Sequence, residues 1–120
     1  MWRAFRELRE LGWLEGSTPR LIAVQSAGCA PVVRAVRDGA SRIDRWMDSA
    51  TIASGLNVPA PFADELILSA LRETGGTAIA VSEEEILDAM VELAECEGCF
   101  ACPEGGATLA VPRCCASATK

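Results

Sequence analysis

The chain has 120 residues, half of them hydrophobic and 23% charged, and a net charge of −6. That is enough apolar material for one folded domain and too much for wholesale disorder, while the acidic balance argues against nucleic acid, whose phosphates call for clustered Lys and Arg. No stretch approaches the roughly 18 uncharged apolar residues of a membrane helix, and residues 1–15 carry Glu7 and Glu10, unlike a secretory leader, so the expected compartment is the cytosol.

In chain order, Trp2, Phe5, Leu8 and Leu11 recur at helical spacing with Arg and Glu between them, which predicts an amphipathic helix over 2–11 that Gly12 and Gly16 end. Residues 21–24 form a short continuous apolar run, the pattern of a buried parallel strand. Pro31 opens a helix over 31–38, with Gly39 as its stop. Residues 40–60 are mixed and loop-rich, with room for a helical turn around Trp46. The next helix is predicted over 61–74, with Pro at its start, Asp64 and Glu65 in its first turns, Phe62, Leu66 and Leu71 inside, and Gly75 and Gly76 at its end.

Residues 77–81 read as a second apolar strand. Ser82 then starts a helix, because Glu85 sits three residues later and completes a capping box. Ile86, Leu87, Met90, Leu93 and Ala94 form its buried stripe, and Glu83, Glu84 and Glu85 read as helix-start chemistry and not as a cation site. A last strand is expected at 99–102. Alternating elements of this kind imply an α/β fold, a three-layer αβα arrangement with a parallel sheet of two or three strands. So narrow a sheet looks incomplete, because parallel strands are normally flanked by neighbours.

The chain contains no His and no Tyr, and Lys120 is its one lysine. Neither a Ser–His nor a Cys–His triad can be assembled within it, and a Schiff-base amine could come only from the terminal residue. Cys29 therefore has no imidazole to activate it, and Trp2, Trp13 and Trp46 read as packing residues.

Five stretches, 1–8, 22–32, 51–59, 72–86 and 98–105, together resemble the large, cofactor-binding domain of the threonine synthase family of fold-type-II pyridoxal-phosphate enzymes. The likeness runs from residue 1 to about residue 111, taken as part of that domain, and 112–120 as a divergent, disordered tail. The resemblance implies conversion of O-phospho-L-homoserine and water to L-threonine and phosphate, with pyridoxal phosphate as electron sink. Threonine dehydratase, cysteate synthase and diaminopropionate ammonia-lyase share the scaffold, so the substrate stays open within it. The family's aldimine lysine and glycine-rich phosphate loop would lie upstream of Met1. The chain is thus expected to be a fragment that neither retains the cofactor nor turns over the amino-acid substrate alone.

The residues that the resemblance assigns to the cofactor site are Gly55, Glu104, Gly105 and Thr108. Gly55, in Ala53-Ser54-Gly55, would face the cofactor and substrate. Residues 103–108 would pack under the pyridine ring, with Gly105 where family members often place a Ser or Thr for the ring nitrogen, and Thr108 one turn later. The plainer readings are a loop glycine and an ordinary helix N-terminus with Glu104 near the positive end of its dipole. Beyond residue 111 the family pattern continues as a helix, whereas Pro112 is expected to interrupt it here.

Cys96, Cys99 and Cys102 form C-x-x-C-x-x-C, with Cys114 and Cys115 downstream, and four thiolates could hold zinc or an iron–sulfur cluster. The preferred reading is structural: Cys96 ends a helix, and Cys99 and Cys102 sit in the expected last strand as small core residues. A cysteine-ligated metal module is one alternative function. A catalytically silent interaction protein, self-associating through exposed apolar surface, is another.

Overall fold

The computed structural model describes residues 1–117, and the side chains of the first 111. Helix α1 spans Trp2–Glu10, strand β1 Ile22–Ser26, helix α2 Pro31–Arg37 and helix α3 Asp64–Glu73; strand β2 spans Thr77–Val81, helix α4 Glu83–Glu97 and helix α5 Pro103–Ser117. A single 3-10 turn, Ser54–Leu56, lies in the long connection between α2 and α3.

The two strands pair in parallel, with Ile22 opposite Thr77 and Ser26 opposite Val81. Helices α2 and α3 pack on one side of the pair and α5, backed by α4, on the other. Side-chain alternation sorts the faces: Val24, Ile79 and Val81 join Ile86 and Ala89 of α4 and Ala107, Ala110 and Val111 of α5 in one cluster. On the opposite face Gln25 is buried, and its Oε1 accepts hydrogen bonds from the N–H groups of Val32 (2.8 Å) and Val33 (3.1 Å). The strand thereby caps the first turn of α2, whose Ala30 N-cap has no side chain to do so.

Most element starts and stops follow from local chemistry. Ser82 Oγ accepts from the Glu85 N–H while Glu85 accepts from the Ser82 N–H, the reciprocal box expected of that spacing. Gly39 and Gly98 take the left-handed conformation (φ 64° and 63°) just past α2 and α4, where a β-carbon would be strained. Between α2 and α3 no helical turn forms around Trp46. Its N–H donates to the Pro59 carbonyl instead, and the Arg34 guanidinium stacks 5.0 Å from its ring.

Several expectations need correction. Residues 99–102 are not a strand but an exposed connection: Gly98 turns the chain, the Cys99 N–H returns to the Leu93 carbonyl, and Pro103 opens α5 at once. Cys99 and Cys102 are accordingly exposed and not core residues. Phe62 is wholly exposed and Leu66 largely so, because α3 starts at Asp64 and its period turns Leu68 and Leu71 inward. Leu87 likewise leaves the α4 stripe to Ile86 and Ala89.

Finally, α5 continues through Pro112 to Ser117. Proline removes one i→i−4 hydrogen bond, but Ala107, Ala110 and Val111 are already buried against α4 and the sheet, and the helix carries on past the gap. The expected irregular tail therefore does not begin at residue 112. Lys120 lies outside the described residues.

Candidate functional site

The C-terminal ends of β1 and β2 lie beside the stretch 50–56, and two carboxylates join these parts. Ser26, wholly buried at the end of β1, donates its hydroxyl to Glu83 Oε1 at 2.5 Å and accepts from the Gly28 N–H at 3.1 Å. Glu83, the first residue of α4, accepts the Ile52 N–H on its other oxygen at 2.8 Å. Three residues further on, the Gly55 N–H donates to Glu104 Oε1 at 2.7 Å. Between these contacts Ala53 is fully buried in the α4–α5 cluster.

Of the four site residues inferred from the resemblance, the structure thus puts Gly55 and Glu104 in direct contact across 49 positions of sequence. A β-carbon at residue 55 would lie 2.8 Å from the Glu104 carboxylate, so glycine is what admits the carboxylate. Gly105 follows in the first turn of α5, close against Ala101, where a β-carbon would sit 3.1 Å from the Ala101 methyl. Thr108 is exposed one turn on, and its hydroxyl donates to the Gly105 carbonyl at 2.7 Å. The donors at Gly55 and Thr108 are therefore both engaged within the chain.

Ser26 and Glu83 carry no signal of this contact in the sequence. Glu83 reads only as one acid of a helix-start trio, and nothing local signals that it bonds residues 31 and 57 positions away. Elsewhere, Cys29 is completely buried behind the β1–α2 turn. Cys96, Cys99 and Cys102 are all exposed, and among the described residues no group of three or more acidic or sulfur ligands is placed to hold a metal ion. Also among the described residues, no helix is long and apolar enough to cross a membrane.

Both carboxylates are held below the usual carboxylate range. For Glu83 burial acts against this, but hydrogen bonds from Ser26, Ile52 and Thr51 outweigh it. For Glu104 its own N–H, the Gly55 N–H and the Cys102 thiol outweigh a smaller burial effect. A carboxylate whose folded value is depressed contributes stability that is complete above its unfolded value, roughly 4.3 for Glu, and is lost as the pH falls through the folded value. Urea midpoints are therefore expected to be level between about pH 5 and 7 and to fall below about pH 4. Glu83→Gln should flatten that acid limb; an unchanged limb in the variant would assign the acid sensitivity to other groups.

The family described as "Pyridoxal-phosphate dependent enzyme" matches residues 1–119. The chain belongs to that family. Among curated members, threonine synthase of Methanosarcina acetivorans is 36% identical over 110 residues, covering 92% of this chain and 27% of that protein. Threonine synthase of Methanocaldococcus jannaschii is 32% identical over the same shares, and that of Mycobacterium tuberculosis is 30% identical over 91% of this chain and 28% of its own length. The chain thus spans about a quarter of the length of these relatives. Maize serine racemase superposes with a TM-score of 0.63 at 24% identity, over 76% of this chain and 26% of that one, a likeness of fold.

Membership of a pyridoxal-phosphate family raises the question of whether these residues suit the cofactor. Covalent attachment takes an amine, the phosphate takes donors or cations, and the ring nitrogen takes a partner. Residues 1–117 include no lysine. The N–H groups of Ile52 and Gly55 point at carboxylates, which closes that loop as an anion cradle. The Thr108 hydroxyl is bonded to its own helix. These residues do not by themselves fit the cofactor.

Proposed function

We propose that this chain forms part of the cofactor domain of a pyridoxal-phosphate lyase of the threonine synthase type, acting on O-phospho-L-homoserine and water to give L-threonine and phosphate. The observation that carries the reading is the likeness to threonine synthases along 92% of the chain. The contact between Gly55 and Glu104, two residues that the resemblance assigns to the same cleft, supports it. On this reading residues 51–56 and 103–108 form one wall of the cleft, and the amine, the phosphate cradle and the remaining wall come from other polypeptide. The isolated chain neither holds pyridoxal phosphate nor turns over the amino-acid substrate.

A chimera tests the positive half. Exchanging the matching 110 residues of the Methanosarcina acetivorans enzyme for this chain should preserve release of phosphate from O-phospho-L-homoserine. A folded chimera that keeps its visible cofactor absorbance yet releases no phosphate would overturn the assignment of substrate. For the negative half, the isolated chain mixed with pyridoxal phosphate and phosphohomoserine should release none.

The same reading leaves apolar surface uncovered on the isolated chain. Phe62 is fully exposed beside an open groove of about 380 Å³ lined by Val24, Val32, Val58 and Ile67. Copies of the chain are expected to associate through that face. Sedimentation velocity should show species larger than a monomer, reduced by Phe62→Ser. Monomer at every concentration would refute the expectation.

A further inference from the structure

The stretch 52–55 is fastened at both ends by carboxylates from two different helices. Glu83 opens α4 and takes the Ile52 N–H at 2.8 Å; Glu104 is the second residue of α5 and takes the Gly55 N–H at 2.7 Å. Each acid sits in the first turn of its helix, where the dipole favours negative charge, and each makes a charge-assisted bond to backbone. Ala53, wholly buried, is the third fixed point. The N-cap of the 3-10 turn, Ala53, has no side chain that can cap it, and its N–H donates to Thr51 Oγ1 at 3.1 Å, a local bond that the two carboxylates supplement from outside the turn.

We propose that Glu83 and Glu104 are a pair of positioning residues that latch the Ile52–Gly55 loop to the N-termini of α4 and α5 and so set where its backbone stands in the cleft. The cleft-facing role of the loop rests on the function proposed above; the latch itself rests on the geometry alone. The Glu83 end is anchored further by Ser26, which ties the same carboxylate to β1 at 2.5 Å, and by the Thr51 hydroxyl. The Glu104 end faces the Gly55 N–H and the Cys102 thiol and has no second strand behind it. The two ends therefore differ in strength, Glu83 being the fixed post and Glu104 the one that yields first.

The absent β-carbon at Gly55 belongs to the same device. A methyl there would meet Cγ, Cδ and Oε1 of Glu104 at 3.2, 3.3 and 2.8 Å, the flexible end of a side chain and not backbone. Gly55→Ala should therefore push the Glu104 carboxylate aside while the fold survives, opening one latch and leaving the other.

Hydrogen exchange and pH titration of amide signals in the full, 15N-labelled chain test the proposal. In the unaltered chain the Ile52 and Gly55 amide shifts should each follow the ionisation of their own carboxylate. Glu83→Ala should speed exchange at Ile52 by about tenfold or more, Glu104→Ala should do so at Gly55, and Gly55→Ala at residue 55. Glu83→Gln and Glu104→Gln, which keep an acceptor oxygen, should restore part of the protection and abolish the pH response. Should Glu83→Ala fail to fold, the titration of the unaltered chain decides. Amides that ignore their carboxylates, or exchange unchanged in Glu104→Ala and Gly55→Ala, would overturn the latch. Because this readout uses the isolated chain and no substrate, it can fail while the chimera is active, and succeed while the chimera is not.

Discussion

Gly28→Ala is expected to destabilise the chain by at least about 3 kcal/mol, the upper end of what overpacking costs. The reason is backbone against backbone. A β-carbon at residue 28 would lie inside the van der Waals shell of the Ala50 carbonyl oxygen, which no rotamer change can relieve. The same residue accepts the Ala50 N–H on its carbonyl at 3.3 Å and donates its own N–H to Ser26 Oγ. Moving residue 50 away therefore also pulls on the neighbouring 51–56 loop. With a urea slope on the order of 1–3 kcal/mol per molar for a small domain, the midpoint should fall by about 1 M or more. Gly55→Ala is the control, since its β-carbon meets only the movable end of Glu104, and it should cost distinctly less. Equal midpoints for the two variants would show that the Gly28–Ala50 approach is not a fixed feature of the fold.

Ile86→Ala is expected to cost about 2–5 kcal/mol, and to lie in the upper part of that range. Ile86 is fully buried in the cluster that joins β2, α4 and α5. Collapse around the lost methyl groups is restricted because α4 and α5 already touch. A β-carbon at Gly106 would stand 2.7 Å from both the Ile86 carbonyl oxygen and Met90 Cγ. The helices cannot draw closer to refill the space, so the cavity persists and its cost adds to the lost transfer energy. Leu87→Ala on the exposed side of the same helix should cost less than about 1 kcal/mol. Denaturant titration followed by circular dichroism compares them, and similar values for both would contradict the packing described.

Local signals carried much of the architecture. The apolar run at 77–81 became β2 without adjustment, Ser82 and Glu85 cap α4 as their spacing requires, and Pro31 and Gly39 bracket α2. What failed depended on distant partners. Residues 99–102 have the alternation of a strand, but a strand needs a neighbour, and Pro103 draws the segment into a helix start instead. Phe62 looked like a core residue because its type is apolar, yet it precedes the helix that would have buried it. Pro112 breaks a helix by its own cost, but the burial of Ala110 and Val111 beside it offsets that cost here.

The site divides along the same line. Gly55 and Glu104 are legible through the family resemblance, and their contact is a product of the fold. Ser26 and Glu83 lie 57 positions apart, and neither residue type in its local setting announces a buried hydroxyl–carboxylate bond. Proximity of that sort is created by the parallel pairing of β1 with β2, which puts both strand ends on one rim.

Separation along the chain also bears on the order in which the structure assembles. Helices α4 and α5 are joined by only the five residues 98–102 and pack directly on each other, whereas β1 must find β2 across some fifty intervening positions. Closing the larger loop costs more chain entropy before any contact rewards it. The C-terminal helical hairpin is thus the natural seed of folding, and the N-terminal strand the last major piece to dock. Substitutions at Ala107 or Ala110 should then slow refolding, while those at Val24 should mainly hasten unfolding.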